Sequence, residues 1–143
     1  SSKPACGAVV ASKSARKLMF EVSVEDTFAS GHALRGYRGK CENPHGHNYK
    51  VQVTLHGERL DNIGLLFDFK DLKVAMNDII DRLDHKFIND IAPFTDLNPS
   101  AENMAKYFYD EINVLLEDKT QGRVKVKQVK MWETDTTAAT YFE

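Results

Sequence analysis

The stretch CENPHGHNYKVQVTL, residues 41–55, decides the fold. From position 45 onward, His45, His47, Tyr49, Val51, Val53 and Leu55 share one parity, and Asn48, Lys50, Gln52 and Thr54 share the other. Residues two apart on a strand point to the same side, so the alternation predicts a strand with one buried face. Its apolar row runs into histidine at the end nearest the preceding loop. The same pattern occurs upstream. Phe20, Val22, Val24 and Phe28 alternate with Glu21, Ser23, Glu25 and Thr27, and His32 continues the apolar parity. Residues 35–44, RGYRGKCENP, are rich in glycine and basic side chains and read as the connecting loop. Antiparallel pairing across that loop brings the two histidine-bearing ends together.

Beyond these strands the period changes. Leu72, Ala75, Met76, Ile79 and Leu83 recur at three- and four-residue steps, with Asp68 and Asp71 where a helix N-terminus favours negative charge. This first helix ends near LDHKFIND, residues 83–90. A second starts at NPSAEN, residues 98–103, with Asn98 or Ser100 as cap and Pro99 in its first turn; Met104, Phe108, Ile112 and Leu115 form its stripe. Strand pattern then returns. Val124 and Val126 share one parity and Val129 and Met131 the other, which predicts a bulge near Lys127–Gln128. The turn TDTT, residues 134–137, leads into AATYFE. The order ββααββ indicates an α+β domain, a four-stranded antiparallel sheet with both helices on one face. Residues 1–17 read as a flexible leader and 18–143 as one domain, with no repeat and no low-complexity segment.

Composition narrows the class of function. The 143 residues are 42% hydrophobic and 28% charged, with a net charge of -2. That balance gives no electrostatic reason to expect nucleic acid or an anionic membrane as partner. No apolar run approaches the ~20 residues of a membrane helix. Cys6 and Cys41 read as free thiols rather than a disulfide, which implies a cytoplasmic protein.

The chemistry concentrates around HGH. His45 and His47 lie on one side of their strand, and His32 sits on the neighbouring strand with the same facing. Three neutral imidazoles leave one position of a tetrahedral zinc open, as catalytic sites do; a closed structural site with Cys41 as fourth ligand, or merely solvated histidines, also fit the spacing. A thiol near a metal becomes thiolate at neutral pH, so Cys41 can serve as nucleophile or base, or be a small buried residue. Asp84 and His85 can form a carboxylate–imidazole pair, or simply end the helix. Glu133 ends an apolar row, where a carboxylate needs a partner: a cationic or amide-like ligand edge, or an Arg or Lys of the same chain. His56 falls on the polar parity and reads as solvated.

FASGHAL, CENPHGHNY, LLFDFKDLK, LDHKFIND, NPSAENMAKYF and VKMWET appear in that order over residues 18–143. In this the chain resembles the 6-pyruvoyl-tetrahydropterin synthase / 6-carboxytetrahydropterin synthase family. The resemblance implies the T-fold, whose sheets assemble into a barrel of subunits, commonly a hexamer built as a dimer of trimers, with active sites between subunits. It implies zinc on His32, His45 and His47 and a zinc-dependent lyase acting on 7,8-dihydroneopterin triphosphate. Cys41 would be the proton acceptor, Asp84 and His85 the relay pair, and Glu133 the acid that anchors the pterin, with Thr134 beside it in the substrate site. Arg35, Arg38 and Lys40 are candidates for the triphosphate. Three residues separate Cys41 from His45, a short gap that resembles the carboxy-forming branch; that branch feeds queuosine and other deazapurines and releases acetaldehyde and triphosphate. The pyruvoyl-forming enzyme is the nearest rival. A zinc hydrolase using Glu42 as base and a non-catalytic module with structural zinc are rivals of other classes.

Overall fold

A computed structural model describes residues 18–39 and 42–143. The leader 1–17, Lys40 and Cys41 lie outside the described residues, so the expectations placed on them are not addressed by the fold.

Strands β1 (Phe20–His32) and β2 (His45–Gly57) pair antiparallel along their whole length, setting Val24 opposite Val53, Phe28 opposite Tyr49 and His32 opposite His45. Two helices follow, α1 (Phe69–Leu83) and α2 (Ala101–Thr120), separated by a short 3-10 turn at Ile88–Asp90. The chain closes with β3 (Lys125–Thr134) and β4 (Thr137–Phe142). All neighbouring strands are antiparallel, in the order β1-β2-β3-β4. No helix of the described residues is long and apolar enough to cross a membrane.

The helices start where their caps allow. The Asp68 carboxylate accepts from the Lys70 N–H at 2.8 Å, and the Ser100 hydroxyl accepts from the Asn103 N–H at 3.1 Å, satisfying donors the first turn leaves open. Of the two cap candidates for α2, Ser100 takes the position and Asn98 does other work. The stripe of α2 also departs by one residue from the predicted one. Leu116, four after Ile112, is buried against the sheet, and Leu115 is only half-buried.

The predicted bulge is present. Thr54 faces Gln128 and Leu55 faces Val126, so Lys127 is left over. The extra residue flips the parity of β3 and lets Val126, Val129 and Met131 all reach the core. That core lies between the sheet and the helices: Val51, Val53 and Leu55 of β2, Leu72 and Met76 of α1, Phe108 of α2 and Val129 of β3. α1 packs on β1, and α2 on β3 and β4. At the start of β1 the apolar row is not yet covered, and Phe20 remains exposed. The opposite sheet face is polar: Lys50 and Lys130 flank Trp132, their ammonium groups 4.1 and 4.8 Å from its ring centre.

Candidate active site

The buried rows of β1, β2 and β3 all end at the same edge of the core, and there they turn from apolar to polar. His32 is fully buried at the end of β1, with Nδ1 2.7 Å from the Pro99 carbonyl oxygen. A carbonyl can only accept, so Nδ1 carries a proton, and in the neutral ring Nε2 carries the lone pair. The same logic holds for His45, whose Nδ1 lies 2.8 Å from the Asn43 carbonyl. The two Nε2 atoms then face one another at 3.1 Å with no proton of their own between them. Glu133 Oε1 joins them, 3.0 Å from His32 Nε2 and 3.2 Å from His47 Nε2. Among the described residues His47 Nε2 is buried without a hydrogen-bond partner, with Glu133 Oε1 only in ion-pair range. Burial lowers the His47 pKa from its ordinary value; Glu133 pulls it up, and His32 and His45 push it further down.

The donor atoms of His32, His45, His47 and Glu133 all lie within 4.8 Å of one another and could hold a metal ion. Lone pairs at hydrogen-bond distance without protons repel, and a cation among them removes the repulsion. Ligand bonds of about 2.0–2.1 Å to a tetrahedral zinc put neighbouring donors roughly 3.3 Å apart, close to the three short contacts of His32 with His45 and of Glu133 with His32 and His47. The residues present therefore fit a metal ion. Glu133 is more than the sequence suggested. The resemblance gives it the pterin to anchor, and in the structure its Oε1 is turned into the imidazole cluster.

Asp84 and His85 form the expected pair elsewhere on the rim. Asp84 caps the C-terminus of α1; its Oδ1 accepts from the Ala29 N–H at 3.0 Å, and Oδ2 lies 3.0 Å from His85 Nδ1. The Ala29 N–H, and after it the His85 side chain, hold the Asp84 carboxyl below its usual range. His85 has φ of 56°, and its N–H donates to Ala29 O, so the backbone turns back against β1 and leaves the imidazole exposed. His85 and His47 line the same depression of about 530 Å³, floored by the facing pair Gly31 and Gly46. The glycine between the two β2 histidines keeps this floor free of side chains.

Other candidates are placed differently. The Arg35 guanidinium donates to the carbonyl oxygens of Phe94 at 2.8 Å and of Asn89 and Leu97 at 3.4 Å, so it staples a loop rather than standing ready for phosphate. Arg38 is exposed. The Thr134 hydroxyl is 2.6 Å from that of Thr137, within the β3–β4 turn. Glu42 is exposed and not in the donor cluster. His56 is half-buried rather than solvated. Two features escaped sequence reasoning altogether: the carbonyls of Asn43 and Pro99, which carry no side-chain signal, and Tyr49, counted only in the apolar row. Its hydroxyl is buried without a partner among the described residues, and burial pushes its pKa far up, so it stays protonated.

Comparison with known proteins agrees with this geometry. The 6-pyruvoyl tetrahydropterin synthase family profile matches residues 21–143. A 6-carboxy-5,6,7,8-tetrahydropterin synthase of Aquifex aeolicus is 35% identical over 124 residues, covering 73% of this chain and 76% of that protein. The 6-pyruvoyl tetrahydrobiopterin synthase of Homo sapiens is 35% identical over 140 residues, covering 88% and 93%. The solved 6-pyruvoyl tetrahydropterin synthase of Caenorhabditis elegans superposes with a TM-score of 0.77 at 26% identity, over 90% of this chain and 98% of that one. Sheet order, helix placement and a match that spans every element lead to one assignment: the chain belongs to the 6-pyruvoyl tetrahydropterin synthase family.

Proposed function

We propose that this protein is a zinc-dependent 6-carboxy-5,6,7,8-tetrahydropterin synthase, converting 7,8-dihydroneopterin triphosphate to 6-carboxytetrahydropterin with release of acetaldehyde and triphosphate. The observation that carries the chemistry is the convergence of ring nitrogens from His32, His45 and His47 on one point, two of them with Nδ1 held by a carbonyl. Those three imidazoles would hold zinc, with Glu133 at hand as a fourth donor. When bound, the ion supplies Lewis acidity to negative charge developing on a substrate oxygen.

The protein's own groups handle protons and register. Cys41, four positions before His45 in the sequence, takes a proton from the side chain as thiolate. Asp84 keeps His85 oriented through Nδ1, leaving Nε2 to deliver or accept a proton. The Glu133 carboxylate, on leaving the donor cluster, holds the aminopyrimidine edge with Thr134 nearby. The subunits assemble by their sheet edges into a hexamer, a dimer of trimers, and the enzyme works in the cytoplasm. Closing the ring covers the outer edges of β1 and β4, the first and last strands of the sheet.

The short spacing between Cys41 and His45 favours the carboxy-forming branch. The equal identity to the human pyruvoyl-forming enzyme sustains that activity as the second reading. Zinc-loaded protein given 7,8-dihydroneopterin triphosphate should release acetaldehyde and triphosphate together. Triphosphate without acetaldehyde, alongside a pterin that keeps its three-carbon side chain, selects the pyruvoyl-forming reaction. Bound zinc without turnover of this substrate selects a structural role for the metal.

A further inference from the structure

His32 is oriented by a carbonyl that belongs to neither its own strand nor the sheet. Pro99 sits between Asn98 and Ser100, the cap of α2, so the position of its oxygen depends on how the segment before α2 is fixed. The structure fixes it with two side-chain amides. The Asn98 carboxamide accepts from the Arg35 N–H at 2.9 Å and donates to the Arg35 carbonyl at 2.9 Å. The Asn89 carboxamide does the same to Ala33, both bonds 2.9 Å. Each amide thus satisfies a residue's N–H and C=O together, as a neighbouring strand would. The paired residues, Ala33 and Arg35, lie one and three positions after His32 in the chain. Asn103 adds a third tie, donating to the Asn98 carbonyl at 2.9 Å.

We propose that Asn98, supported by Asn89, is a positioning residue for His32: its two-point clip to Arg35 holds the Pro99 carbonyl where it keeps the proton on Nδ1 and aims Nε2 at the donor cluster. The inference rests on the metal-centre reading of that cluster. Partners that orient metal-ligating imidazoles typically change metal affinity roughly 10–100-fold when removed. Here the effect passes through two residues of backbone. Asn98 touches neither the donors nor any reacting atom, so its signature is a changed ligand field in a folded protein.

The test uses metal-stripped protein reloaded with Zn2+ alone or Co2+ alone, and three variants. Zinc affinity is read by competition with a chromophoric chelator, and ligand geometry by the visible bands of the cobalt form. Asn98→Ala should bind zinc roughly 10–100-fold more weakly and shift the cobalt bands. Asn98→Asp keeps the acceptor for the Arg35 N–H and loses the donor, so it should fall between Ala and wild type; it also decides the matter if the Ala variant does not fold. Asp68→Ala removes the α1 cap, destabilises the fold at a distance, and should leave zinc affinity and cobalt bands unchanged. Wild-type affinity with superimposable cobalt spectra in both folded Asn98 variants overturns the positioning role and leaves the metal centre standing; so does an Asp68→Ala shift as large as theirs. Failure of the wild-type protein to take up either metal overturns the metal centre and this inference with it.

Discussion

Strand β2 carries two different regions on a single face. Leu55, Val53 and Val51 are fully buried against the helices, and His47 and His45 continue the same row toward the loop. Burying each apolar side chain of the first region contributes about 1.5–3 kcal/mol. In the second region an imidazole nitrogen without a partner costs about 1–3 kcal/mol, and facing lone pairs add repulsion. One half of the strand therefore supplies stability, and the other half spends some of it to hold donors in place. Tyr49 stands at the boundary, its ring stacked on Phe28 at 5.2 Å between centres and lying edge-on to His32 and His47. The regions respond to opposite perturbations, which makes the division testable.

The largest effect should come from the polar half. His32→Ala removes the most buried donor and should abolish stoichiometric zinc, with turnover falling by about 10³-fold or more, since Lewis-acid stabilisation is worth several kcal/mol. Metal analysis and acetaldehyde release measure the two losses. The core half should behave in the reverse way. Leu55→Ala is expected to cost about 2–5 kcal/mol in denaturant unfolding, with one zinc per chain retained. A Leu55 variant that loses metal in step with stability, or a His32 variant that keeps it, would show the two regions to be one cooperative unit. Glu133→Gln sharpens the border further. If the carboxylate is principally a metal donor, zinc affinity falls; if it principally anchors the pterin, KM rises while affinity holds. Its Oε1, 3.0 Å from His32 Nε2, favours a fall in affinity, of roughly 10-fold.

How far each region is legible in sequence follows from what fixes it. Period-2 alternation in residues 20–32 and 45–57 gives both strands, and their pairing gives the meeting of His32 and His45, because a one-residue slip would turn every side chain to the other face. The bulge at Lys127 is visible as a parity change and needs no tertiary information. Leu116 replaces Leu115 in the stripe of α2 because both lie within one helical turn of Ile112, and only packing on the sheet chooses between them. Arg35 looked like a phosphate ligand because charge is visible in sequence, and the three carbonyls that occupy it are not. Glu133 shows its strand parity plainly but not its distance from rings on two other strands. Main-chain partners such as Pro99 O have no residue-type signature at all.

The smallest expected effect is a pair of pH windows that separate the cluster from the β1 edge. In metal-free protein the folded-state pKa of His47 lies below the ordinary 6.5 because burial disfavours the imidazolium. Its contribution to stability is present above the unfolded value and lost as pH falls through the folded one. Asp84 is also depressed, from 3.8, but by an accepted N–H from Ala29 and the His85 side chain. Its contribution is likewise present above the unfolded value, and it disappears only in the more acidic window below 3.8. Thermal unfolding with chelator present should therefore show a first decline in Tm beginning near pH 6.5 that His47→Gln removes, and a later one below pH 3.8 that Asp84→Asn diminishes. Zinc should shift only the first decline to lower pH, because acid must then displace the metal before it can protonate the imidazole. A zinc-dependent change in the second window instead would mean that Asp84 and His85 answer to the same ion, and the donor cluster would have to be drawn to include them.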